Sequence, residues 1–281
     1  MATKTFEKVG EMLTNLGATV KSLIKVTLKS RRPTVSKTDG GRIIILGNGP
    51  SLNDVIESNL SLLQSNDTMA VNFAANAPVF FEIKPNHYIL ADPHFFQSTD
   101  DLNVARLIDN LSKVTWKMTL YIPVGAKLSD VVVDNRNITI ERFNFIGAEG
   151  FDSVTFKLFD AGLAMPRPRN VLIPAIMTAI RAGYREIVIV GADHSWTRTL
   201  SVDDNNTVIS VQPHFYEEDK HEQNRVTAVY KDVKLHEILL SFHIAFSSYH
   251  QIARYASRRG ISIINATPGS FIDAFPRSPL H

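Results

Sequence analysis

Residues 42–52 have the sequence RIIILGNGPSL, an apolar run followed by a glycine-rich turn. The run Arg42–Leu46 predicts a β-strand, and the residues after the turn, Asn53–Gln64, have a helical pattern. Gly47 and Gly49 allow the backbone to turn tightly and to approach a ligand closely. Amide groups at the start of the following helix can then face a phosphate or a carboxylate. This stretch therefore predicts a strand–turn–helix unit with a ligand at the turn.

The same alternation of short apolar runs and helical patterns continues along the chain. Further strands are predicted at Thr68–Phe73, His87–Ala91, Leu120–Pro123, Ile138–Phe143, Glu186–Val190 and Ile261–Ile264. Helices are predicted at Pro174–Ala182 and Lys234–Arg259, each followed by a glycine. Short strands separated by helices are typical of a parallel sheet covered by helices. The predicted fold class is α/β, a Rossmann-like parallel sheet, with residues 42–281 as one catalytic domain and a polar, lid-like insertion at about 197–225.

The first 32 residues differ from the rest. Apolar residues recur at three- or four-residue steps from Phe6 to Val26, and the segment contains far more Lys and Arg than Glu. This pattern predicts a basic amphipathic helix over residues 1–32, followed by a linker at residues 33–41. Two interpretations are open. The helix lies on an anionic membrane surface, or it packs on the domain or on a partner subunit of a homo-oligomer.

Composition excludes several classes of protein. Hydrophobic residues make up 44% of the chain and charged residues 21%, as in ordinary globular domains. There are no cysteines, so disulfides, zinc–thiolate sites and cysteine nucleophiles are excluded. A net charge of +2 gives no indication of nucleic-acid binding, and no apolar run approaches the roughly 20 residues that span a bilayer. The N-terminus lacks a signal-peptide pattern, so we expect a cytoplasmic protein that contacts the inner face of the membrane only peripherally, through residues 1–32.

Polar residues lie at or directly after the carboxyl ends of five of the predicted strands. They are Asn48, Asn72, Asp92, Asp193 and the pair Thr267 and Ser270. In open α/β sheets, ligands bind in the crevice beyond the carboxyl ends of the strands, so these side chains are expected to share one site. The turn at Gly47 is not a dinucleotide fingerprint, because Leu52 stands where the third glycine would be. It is not a P-loop either, because no Gly-Lys-Ser/Thr follows.

Gly-Asn-Gly-Pro-Ser-Leu directly after an apolar strand resembles the opening of the bacterial sialyltransferases of glycosyltransferase family 42. It also resembles a wider group that includes relatives of an archaeal hydroxymethylpterin diphosphokinase. A second matching block is residues 179–193, with a helix, a Gly-Tyr-Arg-Glu-Ile strand and a Gly-Ala-Asp turn, and a weaker third block is residues 265–271. The resemblance implies a GT-A-like variant of the nucleotide-binding fold that uses a CMP-activated sugar without a metal or other cofactor.

The resemblance also implies which residues hold the donor nucleotide and its phosphate. They are Asn48, Gly49, Pro50, Ser51, Asn72, Asp92, Asp193, Thr267 and Ser270. Two positions depart from the family pattern. Asp92 stands where the family has an asparagine, and Ser195 stands where the family has a tyrosine that assists the departure of the phosphate.

A glycosyl transfer needs a base that takes the proton of the acceptor hydroxyl, and histidine suits this task because its unperturbed pKa of about 6.5 lies near working pH. The family's catalytic histidine lies in a loop after the Gly-x-Asp turn. His214 is the best positional match, with Tyr216 as a phosphate partner and Ser195 as a weaker substitute for the family's tyrosine. His221 is the second choice. His194, at a strand end, is an independent alternative base.

Two arginines and several potential metal ligands complete the set of candidates. Arg167 and Arg169, flanked by prolines before a helix, are predicted to clamp a phosphate or a sugar carboxylate; the alternative is a pair of solvated loop arginines. Asp92-Pro93-His94 and Asp193-His194 contain ligand types suited to magnesium or manganese. The chain has no Asp-x-Asp motif of the kind found in metal-dependent sugar transferases, so no metal is predicted.

These features lead to one function and two alternatives. We expect a glycosyltransferase that moves a sugar from a CMP-sugar, such as CMP-sialic acid, to a surface glycan or lipopolysaccharide acceptor. Diphosphate transfer to a pterin alcohol is the alternative within the wider group, and it requires ATP and magnesium. The third hypothesis is a nucleotide- or glycan-binding module without catalysis, for which the departures at Asp92 and Ser195 are the reason.

Overall fold

The computed structural model describes residues 2–97, 101–209, 215 and 233–281. Its main sheet has seven parallel strands, in the order β5-β4-β3-β2-β1-β6-β9. The strands are β1 (Arg42–Leu46), β2 (Asp67–Val71), β3 (His87–Ile89), β4 (Met118–Pro123), β5 (Ile138–Phe143), β6 (Glu186–Val190) and β9 (Ser262–Asn265). The short strands β7 (Ser201–Val202) and β8 (Val208–Ile209) form a separate antiparallel hairpin in the predicted insertion. The predicted α/β, Rossmann-like class is confirmed.

Helices cover both faces of the sheet. They are α1 (Ala2–Lys29), α2 (Leu52–Ser65), α3 (Phe80–Ile83), α4 (His94–Gln97), α5 (Leu102–Ser112), α6 (Asp130–Val133), α7 (Asp152–Asp160), α8 (Leu172–Ala182) and α9 (Leu235–Arg258). Alternate residues of β1 point to opposite layers. Ile43 and Ile45 belong to the core formed with α8 and α9, whereas Ile44 and Leu46 pack against α2. Burial on both faces explains why β1 is apolar at consecutive positions.

The strand order creates a switch point at the centre of the sheet. From β1, the chain first builds the sheet outward through β2, β3, β4 and β5, and then returns to place β6 on the other side of β1. The connections that leave β1 and β6 therefore diverge, and in open α/β sheets this is the point of the carboxyl edge at which ligands bind. The loops after these two strands are Gly47–Ser51 and Gly191–Ser195.

The predicted elements lie within two or three residues of their observed ends, but helices α3, α4, α5, α6 and α7 were not predicted. The strand predicted at Thr68–Phe73 ends at Val71, and a 3-10 helix covers Asn72–Asn76. Asn72 has a φ of 49°, in the left-handed region that ends an extended strand and that asparagine tolerates better than most residues. Helix α5 was not predicted, although Asp101 caps it by accepting hydrogen bonds from two backbone amides of its first turn.

The N-terminal helix and the segment after it contact the domain along β5. In α1, Thr19, Ser22 and Val26 are buried. The segment predicted as a linker has no regular structure, but Val35 is buried and the backbone amide of Ser36 donates to the Glu141 carboxylate at 2.9 Å. Within the described ranges, no helix has the length and hydropathy needed to cross a bilayer.

A buried polar cluster lies at the amino ends of β2 and β3, opposite the switch point. The Tyr184 hydroxyl donates to Asp67 Oδ2 at 2.7 Å, so its oxygen can accept the His87 Nε2 proton at 2.7 Å. His87 Nδ1 then accepts from the Tyr121 hydroxyl at 3.2 Å. Burial lowers the pKa of His87, which agrees with a neutral imidazole. This cluster therefore has a structural role.

Candidate functional site

The loops after β1 and β6 meet through backbone contacts that only glycine allows. The amide of Gly47 donates to Val190 O, and the amide of Gly49 donates to Gly191 O, both at 2.8 Å. A Cβ atom on Gly47 would lie 2.4 Å from Gly191 O, and one on Gly191 would lie 2.5 Å from Gly47 O. These distances are too short for any side chain, so the three glycines hold the two loops together at the switch point.

The Asp193 carboxylate covers the turn after β1. Its Oδ2 atom accepts hydrogen bonds from Ser51 Oγ at 2.8 Å and from the Ser51 backbone amide at 3.4 Å. A Cβ atom on Gly49 would lie only 1.9 Å from the same oxygen. The resemblance to the sialyltransferases assigned the hydrogen-bond donors of Ser51 to the phosphate of the sugar nucleotide. In this conformation a phosphate at those donors has to displace the Asp193 carboxylate, because both are anions that need the same hydrogen bonds.

Two asparagine side chains beside this turn each have an acceptor oxygen without a hydrogen-bond partner among the described residues. Asn48 Nδ2 donates to Val71 O at 3.2 Å, which ties the turn after β1 to the end of β2. The Oδ1 atoms of Asn48 and Asn72 are both buried, and neither has a hydrogen-bond partner among the described residues. Buried acceptors of this kind usually cost about 1–3 kcal/mol when left unpaired, so they mark a place where a ligand donor fits.

One residue of the predicted insertion is seated on this turn. The amide of Phe215 donates to Asn48 O at 2.9 Å, and its carbonyl oxygen accepts from Asn53 Nδ2 at 3.1 Å. Its ring packs with the cluster that includes Leu52 and Val55 of α2. The predicted catalytic residues on either side of it, His214 and Tyr216, and the second-choice base His221, lie outside the described residues.

His194 is fixed by a chain of hydrogen bonds. The Tyr249 hydroxyl donates to Asn170 Oδ1 at 2.8 Å, so it accepts from His194 Nε2 at 2.7 Å, and Nδ1 carries no proton. The Trp196 ring lies 4.1 Å from the imidazole, measured between centroids. Burial lowers the pKa of His194 to about 3, so the ring is neutral at working pH and is a weak proton acceptor. The geometry therefore favours a positioning role for this residue.

Hydrogen-bond donors lie on the other side of the His194 chain, at the start of α8. Asn170 Oδ1 also accepts from the Leu172 amide at 3.0 Å, whereas its Nδ2 atom is buried and has no partner among the described residues. Arg167 forms an ion pair with Glu149 at 3.3 Å, and Arg169 is exposed. The two predicted arginines thus precede, in the sequence, a buried amide donor that the sequence analysis did not identify.

The remaining predicted binding residues are dispersed. Thr267 Oγ1 accepts from the Ala192 amide at 3.0 Å, and Ser270 Oγ donates to Ala192 O at 2.6 Å, so both buried hydroxyls hold the turn that carries Asp193. Asp92 is exposed and accepts from the amide of His94 at 2.9 Å. Ser195 is half-buried and directly precedes the 3-10 helix Trp196–Thr199. Pro50, at the outer side of the first turn, is exposed.

Sequence reasoning missed three residues that shape the site. Phe215 was passed over between two more polar neighbours, and no local signal distinguishes it. Asn170 lies four residues before the helix predicted at Pro174–Ala182 and two before its observed start, and asparagine is common near the start of a helix, so this signal was available. Tyr249 lies on the buried face of α9, where periodicity predicts a core residue and does not show its bond to His194.

No protein-family description and none of the curated proteins matches this sequence. The solved structures that resemble it include the MAf glycosyltransferase from Magnetospirillum magneticum AMB-1, with a TM-score of 0.50 over 89% of this chain. The two sequences are 13% identical, a level at which the likeness shows the fold alone, and the chain spans 36% of the length of that protein. The chain thus shares its Rossmann-like α/β fold with a glycosyltransferase.

Proposed function

We propose that this chain is a glycosyltransferase that uses a nucleotide-activated sugar, preferably a CMP-sugar. The observation that carries the proposal is a pair of buried acceptor oxygens at the carboxyl edge of the sheet, in Asn48 and Asn72, which have no partner in the part of the chain that the structure describes. An unpaired acceptor needs a donor, and a nucleoside sugar offers many of them in its ribose and sugar hydroxyls. The exocyclic amine of cytosine is a further donor. The Asp193 carboxylate beside them accepts hydrogen bonds from the same kinds of group.

Hydrogen-bond donors and guanidinium groups, rather than acceptors, lie on the α8 side of the site, and they suit the anionic part of the sugar nucleotide. Asn170 Nδ2 is a buried hydrogen-bond donor without a partner in the described part of the chain, and Arg167 and Arg169 precede it. Guanidinium groups bind phosphate or carboxylate in a bidentate manner. We assign the donor phosphate, or the carboxylate of a sialic acid, to this side. The nucleoside and sugar hydroxyls then lie against Asn48 and Asn72.

In the proposed reaction, the acceptor hydroxyl oxygen attacks the anomeric carbon of the donor sugar. The bond between that carbon and the phosphate oxygen breaks, and CMP leaves with the bonding electrons. His214 takes the proton of the acceptor hydroxyl, while Tyr216 and Ser195 donate hydrogen bonds to the departing phosphate. The backbone hydrogen bonds of Phe215 with Asn48 and Asn53 support this assignment, because Phe215 is the residue between His214 and Tyr216 in the sequence.

The acceptor we propose is a glycan or glycolipid of the cell surface, such as lipopolysaccharide, and the reaction we propose needs no metal. Both parts follow from the sequence resemblance to the sialyltransferases. Magnesium belongs to the competing hypothesis, in which ATP supplies a diphosphate to a pterin alcohol. The same assay can therefore separate the two reactions by adding magnesium or a chelator.

The experiment measures CMP release from CMP-sialic acid in the presence of a chelator, together with thermal shifts for CMP, UDP, GDP and ATP with and without magnesium. We expect a selective, chelator-resistant shift by CMP, because a ligand of the folded state stabilises it by about 2.7 kcal/mol at a hundredfold excess over its Kd. His214→Gln should reduce CMP release at least about 100-fold, the usual contribution of a general base. His236→Gln, at an exposed histidine of α9, is the matched control and should retain activity.

Stabilisation by ATP with magnesium alone would favour diphosphate transfer. Nucleotide binding without turnover, unaffected by His214→Gln, would favour the non-catalytic binding module. A protein that responds to none of these nucleotides would refute nucleotide binding at the switch point.

A further inference from the structure

Helix α1 attaches to the domain by its small polar side chains. Thr19 Oγ1 accepts from the Phe151 amide at 2.9 Å, and Ser22 Oγ donates to Glu149 O at 2.9 Å. A Cβ atom on Gly150 would lie 2.1 Å from Thr19 Oγ1, so this glycine lets the helix come close. Attachment through hydroxyl groups is the reverse of the usual arrangement, in which an amphipathic helix buries its apolar face in the core.

The apolar face of α1 is exposed instead. From Lys8 to Lys29, where the side chains of this helix are described, eight large apolar ones are 40–67% exposed. They are Val9, Met12, Leu13, Leu16, Val20, Leu23, Ile24 and Leu28. At 100° per residue they centre roughly a third of a turn away from Thr19, Ser22 and Val26. A contiguous apolar surface of this kind is rare on proteins that contact only water, and it marks an interaction surface.

The charge of the same segment indicates the partner. Residues 1–32 contain seven Lys and Arg residues and two Glu residues, a net charge of +5, whereas the remainder of the chain has a net charge of −3. Lys8 and Lys21, which border the apolar face on its two sides at 100° per residue, are exposed, as are Arg31 and Arg32 after the helix. Basic residues beside an apolar helical face are the pattern of a helix that lies in an anionic membrane interface. A second copy of α1 would instead bring one positively charged segment against another.

We propose that α1 docks in the plane of an anionic lipid bilayer. Its exposed apolar side chains enter the boundary between headgroups and acyl chains, and its exposed Lys and Arg side chains contact lipid phosphates. The chain then binds as a peripheral protein, with the Thr19 side of the helix still attached to the loop at Glu149–Phe151. That loop follows β5 at the carboxyl edge of the sheet, the edge that also carries the candidate site.

This orientation has a consequence for the site. Gly147, in the segment after β5, packs closely on Arg167, since a Cβ atom there would lie 2.9 Å from Arg167 Cα. Arg167 in turn precedes Asn170 and α8. Docking of α1 therefore brings the predicted phosphate side of the site toward the lipid surface. This last step rests on the proposed function, whereas the docking itself does not.

The test is co-sedimentation of the full chain with vesicles of phosphatidylcholine alone or with about one third phosphatidylglycerol. We expect binding to the anionic vesicles, weakened by high salt. Leu16→Glu should weaken it at least tenfold. Thr14→Glu adds the same charge at an exposed position outside the apolar face, and it should change binding by less than about threefold. Exchange of both Lys8 and Lys21 for Gln should weaken binding roughly tenfold or more, because each basic residue near the surface contributes about 1 kcal/mol.

Three outcomes would overturn the proposal. The first is no binding of the wild-type chain to anionic vesicles. The second is equal binding of Leu16→Glu and Thr14→Glu. The third is that the wild-type chain forms an oligomer in sedimentation velocity without lipid, that this oligomer does not bind vesicles, and that Leu16→Glu dissociates it. That result would assign the apolar face to a second copy of the chain. Because the readout is lipid binding, a failure here is distinct from a failure of nucleotide binding or CMP release.

Discussion

Replacing Asn72 with glycine tests whether its carboxamide is kept for a ligand. Asn72 combines a left-handed φ of 49° with a buried Oδ1 atom that has no partner among the described residues. Glycine removes the backbone strain, worth about 1 kcal/mol, but loses a similar amount through the entropy of the unfolded chain. Removal of the unpaired acceptor regains about 1–3 kcal/mol. We therefore expect Asn72→Gly to raise the free energy of unfolding by about 1–3 kcal/mol.

Lys84→Gly is the matched control. Lys84 also has a left-handed backbone, with a φ of 54°, but its side chain is exposed. It reports the backbone contribution alone, which we expect to stay within about 1 kcal/mol. Urea denaturation of the ligand-free variants measures both values. If Asn72→Gly is destabilised relative to Lys84→Gly, the carboxamide stabilises the fold, and the argument that it awaits a ligand is refuted.

Three further predictions concern the site and the core. Gly49→Ala should lower the free energy of unfolding by about 1–3 kcal/mol, because its Cβ would meet the Asp193 carboxylate. Gly17→Ala, on α1, places its Cβ in open space and should not destabilise the chain. Urea denaturation of the two variants compares these values. Tyr184→Phe should cost about 1–3 kcal/mol in the same assay, because Asp67 and His87 lose their shared partner, and a loss below about 0.5 kcal/mol would contradict the cluster. The pKa of His194 is lowered to about 3 in the folded chain, so the unfolded chain binds more protons and stability should fall as pH drops from about 6.5 toward 3. His194→Asn should flatten that decline in thermal melts, and an unchanged slope would contradict the burial of the imidazole.

The central part of the fold was predictable because its physical cause is local. Strands buried on both faces, such as β1 and β6, are apolar at consecutive positions, and the glycines that follow each of them mark turns that must approach another backbone. The end of β2 was not predictable from periodicity, because the left-handed backbone of Asn72 leaves no trace in the pattern of apolar residues. Asn72 itself was nevertheless identified, from its position near the end of the predicted strand Thr68–Phe73.

Contacts between distant residues limited the prediction of the site. Asp193 was expected in the pocket, but its bond to Ser51 joins residues 142 positions apart, and no spacing in the sequence indicates it. The amphipathic pattern predicted α1 but not which face docks, because the docking depends on two hydroxyl groups and on the space left by Gly150. The link from His194 to Asn170 through Tyr249 was hidden for the same reason.

The most direct test of the central claim is calorimetric titration of CMP, in a chelator, into the wild-type chain and into Asn72→Gly and Lys84→Gly. Loss of one good hydrogen bond to the ligand corresponds to about 1.4 kcal/mol, or tenfold in Kd. The proposed site predicts CMP binding by the wild type and by Lys84→Gly, with a Kd at least about tenfold weaker for Asn72→Gly. Equal affinity for all three chains would place the nucleotide elsewhere, and no binding by the wild type would contradict the CMP-sugar transferase itself.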